Sequence, residues 1–324
     1  HRDLHSFPTR RSSDLYILPF DIRQGITQAH KISEDFLALP GNKLLTTVML
    51  DNYNCYPVLA DFLARFDGHL ISLGLPFIRA KKDLEFLPGE SFANTVNDIW
   101  YDFLCANSHK IISLPFFVME DEFSLTALST RKKSWSVPGA RYKAREQARQ
   151  VLHQHNIDWQ PRRLNILISL WARLKQRFPL NRLEVVVINH LFRQSIETAK
   201  FSYTCGSGYQ MPIRKFFEIP ALRAVLACQP CNGFEELGFK SGHNAFICTP
   251  QQLPELHRQL SGDLEEAQKI ADRGQQIVWQ HHTSRARARQ LSKALDAIQA
   301  GTFEGVYWKN GELELSAEEL HGVS

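Results

Sequence analysis

The string Pro212-Ile-Arg-Lys-Phe-Phe-Glu-Ile-Pro-Ala221 is followed by the apolar run Ala224-Val-Leu-Ala-Cys228 and then by Asn232-Gly-Phe-Glu-Glu-Leu-Gly238. A proline suits a first helical turn, and apolar side chains at 213, 216, 217 and 221 mark one helical face. The short run after it is β-prone, and the glycine beyond marks a turn. The predicted order is helix, strand, loop, helix. Such a unit packs helices on a parallel sheet, where strand C-termini and helix N-termini share one crevice. Arg214, Lys215 and Glu218 are thereby candidates to face a ligand, although a basic pair and a glutamate on an amphipathic helix also make an ordinary solvated face.

The string Arg-Lys-Phe-Phe-Glu-Ile-Pro-Ala, the apolar strand and the Glu-Glu-Leu-Gly turn resemble the donor-nucleotide segment of GT-B glycosyltransferases. The similarity is to the group 1 type, in particular the family of the spore maturation protein CgeB. The resemblance implies that Glu218 holds the ribose hydroxyls of a nucleotide sugar. A carboxylate suits a vicinal diol because it accepts two hydrogen bonds and donates none. The chain departs from the pattern at two places. Gln210 stands where many retaining enzymes of this type carry a first glutamate, and Leu222-Arg223 replace the glycine that commonly follows the string.

Upstream, Ser134-Trp-Ser-Val137 reads as a strand, and Pro138-Gly139-Ala-Arg141-Tyr-Lys-Ala-Arg145 leads into a helix to about Asn156. A glycine between strand and helix lets backbone amides approach a phosphate, and arginines on the first turn add charge-assisted bonds. The segment is similar to the first strand, turn and helix of the CgeB-like C-terminal domain, which makes Gly139, Arg141 and Arg145 donor-phosphate candidates. Helix 163–178, strand 183–188, helix 190–199 and strand 200–204 continue the alternation. The loop Cys205-Gly-Ser-Gly208 follows, and Gly208 is a candidate for close approach of a nucleotide.

Past the centre come a strand at 244–248, a short helix near 251–260 and a long helix opening at Asp263 with Glu266 as a capping partner. Thr283-Ser284 re-caps the chain, and a last helix at 285–300 stops at Gly301. Arg285, Arg287 and Arg289 at i, i+2 and i+4 form no contiguous stripe and are expected on a solvated surface. The tail Gly305-Val-Tyr-Trp-Lys-Asn310-Gly311 carries a hairpin signal.

The N-terminal half alternates in the same way, with strands at 16–20, 44–50, 69–73 and 110–114 and helices at 26–39, 56–66 and 92–105. Asp51, at the C-terminal end of a strand, is a candidate base, although Asp51-Asn-Tyr-Asn54 also makes a turn and caps the next helix. The acids Glu120-Asp-Glu122 read as exposed loop charges. Residues 124–133 are polar and aperiodic, as a linker is. The first fifteen residues are polar, arginine-rich and similar to a translated sequencing-adaptor fragment. A GT-B enzyme opens with a strand and a glycine-rich loop, and neither stands before Tyr16.

The 324 residues, 44% of them hydrophobic, allow two domains with their own cores. A net charge of +4 without blocks of like charge argues against nucleic acid as partner. Six cysteines without regular spacing read as buried thiols of a reducing, cytoplasmic compartment. Cys228-Gln-Pro-Cys231 with His243 and Cys248 permits a zinc site to be drawn, but cysteines ending apolar strands are commonly buried. No apolar run approaches the ~18 residues of a spanning helix, so membrane contact is expected to be peripheral at most. No Asp-x-Asp motif stands in the chain, unlike metal-dependent GT-A enzymes.

The expected architecture is α/β with two Rossmann-like domains of GT-B type, the N-terminal one truncated. It comprises a leader at 1–15, an acceptor-side domain at 16–123, a nucleotide-sugar-binding domain at 133–300 and a tail at 301–324. The expected activity is a metal-independent, hexosyltransferase-type transfer from a nucleotide sugar to an unidentified acceptor, without cofactor. A nucleotide-sugar epimerase on the same fold and a non-catalytic nucleotide-binding module are the alternatives.

Overall fold

The computed structural model describes residues 16–19, 45–50, 60, 63–64, 68–73, 102–139, 142–159, 190–206 and 211–315. The leader, Asp51, Arg141, Gly208 and Gln210 lie outside them, as do the helices expected at 26–39 and 163–178 and the strand at 183–188.

Two parallel sheets carry the molecule. The first has the order β1 (Tyr16–Pro19), β2 (Leu45–Leu50), β3 (His69–Leu73), β4 (Ile111–Leu114), with Leu18 beside Thr47, Met49 beside Ser72 and Leu73 beside Leu114. Parallel neighbours require crossover connections, which is what the alternating pattern implied. All four residues of β4 are buried, as in a strand covered on both faces.

The second sheet has the order β5 (Lys133–Ser136), β6 (Ala199–Thr204), β7 (Val225–Cys228), β8 (Phe246–Ile247), again parallel throughout. Among the described residues its helices are α1 (Lys143–Gln154), α2 (190–197), α3 (Lys215–Ala221), α4 (Leu253–Gly262), α5 (Leu264–His281) and α6 (Ser284–Gln299). One core gathers Trp135, Leu152, Phe201, Tyr203 and Ile270. The other gathers Phe216, Phe217, Leu226, Phe239 and Val278, and continues to Ile71, Ile112 and Leu114 of the first sheet.

Local chemistry explains the boundaries. Asp263 caps α5 by accepting from the Glu266 N–H at 2.9 Å, and Thr283 caps α6 by accepting from the Ala286 N–H at 3.3 Å. Asn310 and Gly311, at φ 51° and 88°, turn β9 (Val306–Lys309) into β10 (Glu312–Leu315) as a tight antiparallel hairpin. The Trp308 indole N–H donates to the Ser113 carbonyl at 3.0 Å, fixing this hairpin to β4.

The structure corrects three expectations. Residues 232–238 are a chain of turns instead of a helix: Gly233 and Gly238 take φ of 82° and 83°, and Phe234 and Leu237 are buried between them. Glu120 and Glu122 are not idle loop charges. Glu120 accepts from the Ser284 hydroxyl at 2.6 Å and the Arg285 N–H at 2.9 Å at the start of α6, and the Ser284 bond leads in holding its carboxyl below the usual range. Glu122 accepts from the Met119 N–H at 2.6 Å and pairs with Arg214. Arg287 lies on the buried face of α6 at 4% exposure, where it donates to the carbonyls of Pro115, Phe116 and His281. Those carbonyls stand just past β4 and at the last residue of α5, where the regular bonding ends, and they need a donor with several N–H groups.

The stretch read as a linker is firmly held. Leu128 is fully buried and takes the Gln268 side-chain oxygen on its N–H at 2.7 Å. Arg131, 5% exposed, donates to the carbonyls of Thr126, Ile196, Ala199 and Leu222. Val118 pairs with Thr283, its N–H meeting the His282 carbonyl at 3.1 Å and its carbonyl the Ser284 N–H at 2.9 Å. The segment between the sheets is thus tied to the start of α6.

Candidate functional site

At the carboxyl ends of β5 and β6 three residues from separate segments converge. Gly139 follows β5 at φ 101°, a conformation that side chains rarely adopt. A Cβ placed there would stand 2.6 Å from Cε of Lys215 and 2.9 Å from Nη1 of Arg145. The backbone there favours glycine, and a Cβ would make the ends of the Lys215 and Arg145 side chains move aside.

Arg145, on the first turn of α1, is 1% exposed. Its Nη2 lies 3.3 Å from the Thr204 hydroxyl and 3.4 Å from the Cys205 carbonyl, both at the end of β6, and its guanidinium covers the Tyr142 ring at 5.1 Å. Burial pulls its pKa down. Lys215 opens α3, with Nζ 4.9 Å from the centre of the Phe192 ring. Burial is the main cause of its lowered pKa, and the Arg145 charge is the next; Glu218 acts the other way. Two half-desolvated cations held together gain from an anion placed between them.

One turn along α3, Glu218 has its side chain 18% exposed and accepts from Nε of Arg214 at 2.8 Å. Burial raises its pKa, Arg214 and Lys215 oppose that, and Glu122 reinforces it. A cavity of about 240 Å³ opens here, lined by Glu122, His190, Phe192, Arg193, Arg214 and Glu218 among others. It offers two carboxylates, two guanidinium groups and two flat rings to one ligand.

Of the residues expected from the sequence, Gly139, Arg145 and Lys215 come together at the sheet edge, and Arg214 and Glu218 line the cavity along the same helix α3. Asp51, Arg141 and Gly208 lie outside the described residues. Sequence reasoning missed Arg149, which donates to the carbonyls of Val137 at 2.7 Å and Gly139 at 3.0 Å and so fastens the glycine turn from beneath. Its spacing of four from Arg145 was the available signal. Missed as well were His190 and Phe192, which no motif marks.

The cysteines have another character. Cys228 and Cys248 are buried, and burial pushes both thiols up, Cys248 to about 12. Thiols so placed stay protonated and behave as small apolar groups. Among the described residues no group of three His, Cys, Asp or Glu side chains is placed to hold a metal ion, and no helix is long and apolar enough to cross a membrane.

Residues 143–293, which include α1 through most of α6, match the family model described as glycosyl transferase-like. No curated protein matches the sequence. Among solved structures, the chain is similar in fold to sucrose-phosphate synthase of Thermosynechococcus elongatus, with a TM-score of 0.54 at 13% identity, covering 85% of this chain and 79% of that one. It is also similar to HepE of Anabaena in complex with UDP-glucose, with a TM-score of 0.51 at 10% identity, covering 83% and 82%. On these grounds the chain has the GT-B fold, with the likeness to the glycosyl transferase-like family confined to residues 143–293.

Proposed function

We propose that the protein transfers a sugar from a nucleotide-sugar donor to an acceptor without needing a metal ion, and that it is of the CgeB-like type, which the string 214–221 resembles. The observation that carries the donor site is the approach of Arg145 and Lys215 to the space a Cβ of Gly139 would fill. Those two cations take the diphosphate. When the bond between the sugar and the β-phosphate oxygen breaks, its electron pair stays on that oxygen, and the two positive groups stabilise the growing charge. The acceptor hydroxyl forms the new bond and gives its proton to a base, for which Asp51 is the candidate. Glu218 accepts from the ribose diol. Arg141 and Gly208 join this site through the resemblance. In this scheme 133–300 is the donor domain and 16–123 the acceptor side.

UDP accompanies HepE in one of the similar structures and UDP-glucose in another, so UDP-sugars are the first donors to try. A thermal-shift screen of nucleotide sugars tests the reading, because a ligand at 100 times its Kd raises stability by ~2.7 kcal/mol. A rise in Tm with one nucleotide sugar, lost in Lys215→Met, supports the site. No rise with any nucleotide sugar refutes it, and a change of the free sugar nucleotide without acceptor points to an epimerase instead.

A further inference from the structure

Arg214 stands between two carboxylates from distant parts of the chain. Its Nε meets Oε1 of Glu218 at 2.8 Å, and its Nη2 donates to Oε1 of Glu122. Glu122 is itself fixed, because its other oxygen accepts from the Met119 N–H at 2.6 Å. The turn that carries it is fastened to the start of α6 through Glu120, and Arg193 lies against its other side, 3.5 Å from the Asp121 and Phe123 carbonyls. A guanidinium is a planar fork whose donors point in set directions. With one prong held by an anchored acid, the other decides where the Glu218 oxygen points.

An arginine shared by two carboxylates has little charge to spare for a phosphate. Arg145 and Lys215, pressed against Gly139, are the cations with that task. Arg214, Glu122 and Glu218 instead line the cavity together with the rings of His190 and Phe192.

We propose that Arg214 is a positioning residue for Glu218 and not a phosphate ligand, and that Glu122, on the segment joining the two sheets, anchors it. The inference rests on the donor-site reading above, in which Glu218 takes the ribose diol. It makes the ribose contact depend on a residue outside the glycosyltransferase-like segment 143–293. Recognition of the nucleotide is thereby linked to the chain that leads into the second sheet.

The test is calorimetric titration of the full chain with whichever of UDP, GDP and ADP stabilises it most, and with the 2′,3′-dideoxy form of the same nucleotide. The variants are Arg214→Gln, Arg214→Lys, Glu122→Gln and Glu218→Gln. Loss of a charge-assisted bond corresponds to about ten-fold in affinity. Arg214→Gln is expected to bind the ribonucleotide about ten-fold more weakly and the dideoxy form unchanged. Arg214→Lys, which keeps the charge but loses the fork, shows the same contrast, and Glu122→Gln a smaller one. Arg214→Gln combined with Glu218→Gln binds no more weakly than Glu218→Gln alone.

Equal losses for both ligands in Arg214→Gln would make it a phosphate ligand and overturn the proposal. Tighter binding of both by Glu122→Gln, as expected of an arginine released toward phosphate, overturns it too. The contrast in Glu218→Gln alone sinks the positioning role and spares the donor site. Absence of the contrast in Glu218→Gln, or of binding by all three nucleotides, removes the ribose assignment and this inference with it.

Discussion

Arg287 and His282 meet inside the protein with guanidinium Nη2 2.7 Å from imidazole Nδ1. A guanidinium can only donate, so Nδ1 accepts. The ring proton is therefore on Nε2, which donates to the Leu237 carbonyl at 2.8 Å. The pair joins the turns after β7, through Leu237, to the chain leaving β4, through Pro115 and Phe116. The rings of Phe217 and Trp308 cover the guanidinium at 5.9 and 4.8 Å. Burial draws Arg287 down to about 9, which leaves it charged at neutral pH.

Arg287→Ala removes donors from three carbonyls, Gln290 and His282 at once. The cost is expected to be about 3 kcal/mol or more, since each orphaned buried group forfeits ~1–3 kcal/mol. Arg287→Lys recovers only part of it, as one ammonium cannot reach carbonyls on several sides. Denaturant unfolding measures both, and a loss below ~1 kcal/mol for the alanine variant contradicts the bracing role.

His282 is fully buried, and burial first and the Arg287 charge second hold its pKa well below the ordinary value. In the unfolded chain the same imidazole takes a proton as pH falls through ~6.5. Below that pH the unfolded state binds more protons than the folded one, so this group makes stability fall with falling pH. The slope reaches ~1.4 kcal/mol per pH unit until the folded-state pKa is passed. Denaturant midpoints between pH 7 and 5, compared for the unmodified protein and His282→Gln, check it: the variant is expected to be less stable at pH 7 but less sensitive to acid. Parallel pH profiles would rule His282 out as the source.

Strands β4 and β7 were legible because each is a short apolar run between polar turns, and β3 begins and ends where expected. Helix α3 begins three residues later than its proline suggested. The N–H groups of Phe216 and Phe217 bond three residues back, to the carbonyls of Ile213 and Arg214, as the helix opens, and Pro220 sits inside it near its end. The convergence on Gly139 was not legible, since sequence distance says nothing of which side chains fill the space beside a glycine. The ribose role proposed for Glu218 came from family resemblance; spacing alone left it between a ligand-facing residue and a solvated face. Arg149 and Arg131 escaped notice, and Arg287 was expected on a solvated surface, for one shared reason. Their partners are backbone carbonyls, and carbonyls leave no trace in a pattern of residue types.

Gly139→Ala places a methyl group on a left-handed backbone and against Lys215 and Arg145. Strain of this kind costs ~1–2 kcal/mol in stability. The side chains can yield only by leaving the space between them, so nucleotide affinity is expected to fall by at least ten-fold while the fold persists. Circular dichroism and titration with the donor nucleotide separate the two effects. Unchanged affinity would show that the approach of the cations to Gly139 has no part in binding.

Lys215→Met distinguishes a binding cation from a structural one. In the absence of ligand Lys215 is desolvated beside Arg145, and both conditions disfavour its charge, with Glu218 a partial offset. Replacing it with an apolar side chain of similar length removes that repulsion and keeps the packing on Phe192. The free variant is expected to melt at the same temperature as the unmodified protein or above it. Its affinity for a nucleoside diphosphate is expected to fall by about ten-fold, and for the nucleoside without phosphates to stay the same, since a lost charge-assisted bond is worth ~1.5–3 kcal/mol. A variant that melts much lower and loses both ligands alike would mark Lys215 as a packing residue and move the diphosphate elsewhere on the sheet edge.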